Sequence, residues 1–72
     1  MQDDEIIRTI EEIQTTRNAL NSRENLSEQE VRSINAMKVK LDQYNDLLTQ
    51  RTELREAGKN PEGAKMRPAD LV

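Results

Sequence analysis

Between Asp3 and about Glu24 the chain places Ile6, Ile10, Ile13 and Leu20 at spacings of four, three and seven residues. That is the a/d rhythm of a helix packing on another helix, with Arg17 standing where the remaining apolar residue belongs. The pattern predicts a first helix over residues 4–24, with Asp3 or Asp4 as its N-cap and acidic residues complementing the dipole in its first turn. Ile7 widens the apolar stripe at one end. A polar run, Asn21-Ser22-Arg23-Glu24-Asn25, then breaks the rhythm with residues that favour turns.

A second helix is marked at both ends. Ser27 followed by Glu30 is a capping box, and Leu26 before the cap is positioned to staple onto Val31. The stripe continues through Ile34, Met37, Leu41, Tyr44 and Leu48, with Leu47 and Leu54 flanking it as the helical period drifts against a seven-residue repeat. Gly58 stands at the left-handed position that closes a helix, and Asn60-Pro61 forbids continuation. The second helix is therefore expected over residues 28–57, about 45 Å long against about 32 Å for the first at 1.5 Å per residue. If the chain folds back at residues 22–26, residues 49–57 project past the first arm and Leu54 needs cover from elsewhere. Residues 59–72 contain both prolines and Gly63, so the tail is expected to be turn-rich or extended, with Met66 and Leu71 as its candidate anchors.

These elements predict an all-α fold, an antiparallel two-helix hairpin with an irregular tail. Composition adds an oligomeric expectation. The 72 residues contain no Cys and no His, which removes disulfides and the commonest zinc ligands as means of stabilising so small a core. Association is the remaining route, and the reading is a homodimer forming a four-helix bundle. Its interfaces use Ile6, Ile10, Ile13, Leu20, Val31, Ile34, Met37, Leu41, Tyr44, Leu47, Leu48 and Leu54. Charge is uneven: residues 1–30 carry eight acids and three bases, whereas residues 31–72 carry six acids and eight bases. An antiparallel hairpin brings these opposite biases together.

The search for chemistry favours binding over catalysis. Tyr44 is the single aromatic residue and the net charge is -3, so neither a base-stacking platform nor a basic footprint for nucleic acid is present. Asp42 and Asp46 lie one turn apart, and Glu11 adjoins Glu12, but an exposed helix face offers little of the burial that raises a carboxyl pKa for general acid work. The isolated glycines at 58 and 63 form no phosphate loop or calcium loop. No catalytic residue, metal ligand or cofactor site is expected. The N-terminus has no signal-peptide pattern and no stretch has membrane-spanning length, so the expectation is a cytoplasmic protein without membrane contact. The polar face of Asp42, Gln43, Asp46 and Gln50, with Arg51 and Arg55 at the end of the helix, is the candidate surface for a protein partner. The final Asp70-Leu71-Val72 has the form of a carboxy-terminal peptide ligand.

From Leu41 onward the chain resembles a bacterial family of short proteins described only as a domain of unknown function. Its signature reads LDQxxDLLxQRxxxREAGxxPxxAxxRP and falls here on residues 41–68, among them Gln43, Asp46, Gln50, Arg51, Gly58, Pro61, Ala64, Arg67 and Pro68. The opening DDEIIRTI is similar too. A Glu-Glu-His step of the family's first arm appears here as Thr15-Thr16-Arg17, and the chain stops sooner after Arg67-Pro68 than members do. The resemblance implies a helical protein and no particular activity. Residues 26–42 also resemble the second arm of the small sporulation aspartyl-phosphate phosphatases, with Leu41-Asp42 retained but Lys38-Val39 where that motif has Ser-Gln. LDQYNDLLTQR is similar to the first helix of helical chorismate mutases, in a chain too short for their enclosed site. The alternative function is therefore an accessory regulator of a phosphorylated signalling protein, with Gln43 or Asp46 orienting a water.

Overall fold

The computed structural model describes residues 1–68 and 70. Two α-helices, α1 (Asp3–Asn21) and α2 (Glu28–Glu56), pack against each other, and a 3-10 turn at Pro61–Gly63 packs back on α2. The molecule measures 49 × 24 × 14 Å, the shape of a hairpin with a short third layer at one end. No helix is long and apolar enough to cross a membrane among the described residues.

The caps explain where the helices begin. Ser27 is the N-cap of α2: its Oγ accepts the Glu30 N–H at 3.1 Å, and the Glu30 carboxylate accepts the Ser27 N–H at 3.1 Å. At α1 the cap is Gln2, one residue before the expected aspartates, and its N–H donates to the Glu5 carboxylate at 3.3 Å. Asp3 does not cap because its carboxylate is engaged across the hairpin by Arg51 and Arg55. The first helix also stops at Asn21 instead of reaching Glu24. Its early end leaves the first turn of α2 without a helix opposite, and Val31 stays 44% exposed instead of joining the covered stripe.

Helix α2 ends in a Schellman motif. Gly58 takes φ +73°, its N–H donates to Arg55 O at 3.0 Å, and Lys59 N–H donates to Leu54 O at 2.8 Å. The left-handed residue reverses the chain. Asn60 then caps the 3-10 turn, its Oδ1 accepting the Glu62 N–H at 3.0 Å, with Pro61 in the first helical position.

The core lies at the open end of the hairpin, where the N-terminal half of α1 meets the C-terminal half of α2. Ile6 is fully buried, and Ile10, Leu41 and Leu47 form one cluster with it, against which Ile13, Tyr44, Leu48 and Ala64 pack. Ile34 is buried further toward the turn, where Leu20 and Met37 are half-buried. Cover for Leu54 comes from the chain itself, since a Cβ placed on Gly63 would lie 3.6 Å from Leu54 Cδ1. Ala64 is the tail's apolar anchor. Met66 is 44% exposed, and Leu71 lies outside the described residues.

Candidate functional site

Gln43, Asp46 and Gln50 follow one another at spacings of three and four residues, so they rise along one face of α2. The tail runs along this face from Pro61 to Arg67, and every one of the three side chains is bonded to it. Gln50 Nε2 donates to Lys65 O at 2.8 Å while Lys65 N–H donates to Gln50 Oε1 at 3.2 Å. The second hydrogen of the same Gln50 amide reaches Asp46 Oδ2 at 2.8 Å. Gln43 Nε2 donates to Arg67 O at 3.0 Å. Asp46 accepts both Arg67 Nε, at 2.7 Å, and the Arg67 terminal nitrogen. A planar guanidinium and a carboxylate meet as a two-pronged pair, geometry that a lysine cannot reproduce.

A second polar cluster closes the open end. Arg51 is only 5% exposed, with its Nε on Asp3, its terminal nitrogen 3.5 Å from the Glu62 carboxylate and 3.4 Å from Pro61 O. Arg55, still exposed, takes the other oxygen of Asp3. Gln2 Nε2 donates to Glu62 Oε1 at 3.2 Å. Three segments remote in sequence thus meet on one arginine: the start of α1, the end of α2 and the 3-10 turn.

Electrostatics follow the bonding. The Arg51 hydrogen bond, reinforced by Arg55, holds the Asp3 carboxyl below its ordinary value against the opposing effect of burial. Asp46 is lowered in the same way, first by the hydrogen bond from Arg67 and then by that from Gln50. Arg51 and Arg67 are correspondingly raised by Asp3 and Asp46. Glu30 is lowered chiefly by the Ser27 N–H that it caps.

Of the six residues expected to face a partner, the structure places Gln43, Asp46, Gln50 and Arg51 against the protein's own tail and α1. Asp42 is exposed and sits 3.4 Å from Lys38, one turn away. Arg55 is exposed beside Asp3. Glu62, Ala64, Lys65 and Arg67 are the tail's attachment points, and Asp3, expected only as a cap, pairs with Arg51 and Arg55 instead. Ala64 and Arg67 are among the residues singled out from Leu41 onward, and they lie across one intramolecular contact from Gln43, Asp46 and Gln50.

A different surface lies between the helices. Thr9, Glu12, Ile13 and Thr16 of α1 and Met37, Lys40 and Tyr44 of α2 line an open groove. Its apolar floor, Ile13, Met37 and Tyr44, is half-buried. Among the described residues no three acidic side chains converge as a metal site would need. Leu71 and Val72, part of the carboxy-terminal peptide motif, lie outside the described residues.

No curated protein and no solved structure matches the chain. One family model, described as protein of unknown function (DUF2630), matches residues 2–72, and the chain belongs to that family.

Proposed function

We propose that this protein is a non-enzymatic protein–protein interaction module that works as a homodimer. The observation that supports the reading is the groove whose floor is Ile13, Met37 and Tyr44. A hairpin of two helices has two faces to cover, and the tail covers ground near the open end. The groove leaves three large apolar side chains partly in water. A two-fold copy laid on it makes a four-helix bundle, and Glu12 and Lys40 on opposite walls offer complementary charges to that copy. Sedimentation of the full chain at micromolar concentration is expected to give twice the 8.3 kDa chain mass. Met37→Glu, which places a charge on the groove floor, is expected to give the single-chain mass with helical circular dichroism retained. A parent chain that sediments only as the monomer overturns the homodimer.

The competing reading, a regulator that dephosphorylates a signalling protein, needs Gln43 or Asp46 available to orient a water. Both are bonded to Arg67. The module reading therefore expects no release of phosphate from phosphorylated response-regulator domains incubated with the protein.

A further inference from the structure

The face of α2 that holds the tail has the construction of a peptide-binding surface. Gln50 grips both main-chain groups of Lys65, while the Lys65 side chain is left exposed. A bond pair of this kind reads backbone and is indifferent to the residue that carries it. Gln43 takes a second carbonyl two residues on. Between them Asp46 reads one side chain, the Arg67 guanidinium, through two bonds. The bound segment is extended: Ala64 has φ -66° and ψ 138°, close to polyproline II, and Pro68 biases Arg67 toward the same region. Ala64 fills a place against the core where its small side chain packs.

We propose that this face of α2 is an acceptor for an extended peptide of the pattern Ala-x-x-Arg-Pro, occupied in cis by the protein's own tail and in trans by such a segment of a partner protein. The inference rests on the interaction-module reading but concerns a different surface from the dimer groove. Exchange is favoured by how lightly the tail is held. Among the described residues beyond Gly58 the half-buried apolar ones are Pro61 and Ala64, whereas Met66 is 44% exposed and the Arg67 side chain 47% exposed. Segments with few buried apolar contacts and solvent-facing hydrogen bonds open at low free-energy cost. The chain reverses at Gly58, whose φ of +73° a glycine adopts readily. Lifting residues 64–67 uncovers Gln43, Asp46 and Gln50 together.

The tethered tail competes at an effective concentration in the millimolar range for a short flexible linker, so the test weakens the tail without removing it. A fluorescein-labelled peptide with the sequence of residues 59–70 is titrated, by anisotropy, into the full chain and into Arg67→Ala. The variant is expected to bind saturably and at least about tenfold more tightly than the parent, because its Asp46 is free while the parent's is engaged. Binding is expected to be lost when the peptide's arginine is replaced by alanine, or when Asp46→Asn is added to the variant. Equal affinity for parent and variant, or affinity indifferent to the peptide's arginine, overturns the proposal. Should Arg67→Ala lose its helical signal, the parent decides the matter: millimolar peptide must shift the side-chain amide resonances of Gln43 and Gln50, and unchanged resonances overturn it. Sedimentation of the same samples reads the dimer separately. A monomeric protein that binds the peptide removes the dimer alone, and a dimeric protein that ignores it removes the acceptor alone.

Discussion

At position 51 an arginine is 5% exposed, a residue type seldom buried unless its charge is paired. Its partners come from both ends of the chain, Asp3 before it and Glu62 after it. Removing one partner of a buried pair leaves an uncompensated charge, which is costlier than losing the pair. Asp3→Asn is therefore expected to lower the thermal midpoint clearly, and Asp4→Asn, at an exposed neighbour, hardly at all. Ile6 is the fully buried apolar side chain of the same end, and Ile6→Ala is expected to cost about 2–5 kcal/mol in urea denaturation. Gly58 is different in kind, because no atom lies within 4 Å of a Cβ built there and only its φ of +73° opposes substitution. Gly58→Ala should cost about 1–2 kcal/mol, the left-handed penalty of an ordinary residue.

Acid sensitivity also belongs to single residues. Asp3 and Asp46 are both held below the ordinary carboxyl value of 3.8 by arginine hydrogen bonds. A carboxyl whose folded pKa is depressed contributes stability that is present above its unfolded value and lost as pH falls through the folded one. Stability is thus expected to stay level from neutral pH and to fall below about pH 4. Denaturation midpoints measured across pH should show a shallower fall in Asp46→Asn than in the parent.

On the scale of elements, the capping box of α2 is a local device with a local cost. Ser27→Ala, which removes the bond to the Glu30 N–H, should lose about 1 kcal/mol of stability. The stripe on α2 is uneven: Leu41 is buried and Val31 is 44% exposed. Leu41→Ala is therefore expected to be far more damaging than Val31→Ala, as paired urea titrations would read. Spacing alone places both residues on one stripe. The difference arises because α1 ends at Asn21, and where a partner helix ends is not encoded in its neighbour's periodicity.

For the whole molecule, the tail makes this more than a hairpin. Its contact with α2 is led by an ion pair whose arginine is 47% exposed, and exposed pairs are screened by salt. Raising salt from 0.1 M to 1 M shortens the screening length from about 10 Å to about 3 Å. Amide exchange at Lys65 is expected to quicken over that range while exchange in the middle of α2 does not. Equal protection at both salt concentrations would show that Ala64 and the Gln50 bonds hold the tail without help from Arg67.

The sequence by itself determined the two helices, the start of α2 and the glycine that ends it, because periodicity, capping and left-handed closure are decided by residues within a turn of one another. It also marked Leu54 as needing cover, and Asp42, Gln43, Asp46, Gln50, Arg51 and Arg55 as a face for a protein partner. Only the tertiary structure decided that the same chain covers Leu54 and bonds to Gln43, Asp46, Gln50 and Arg51. Arg67 lies 21 residues from Asp46, and Arg51 lies 48 from Asp3. No local rule pairs residues at such separations. The reversal at Gly58 turns the tail back along α2 and so brings its arginine to the carboxylate that binds it.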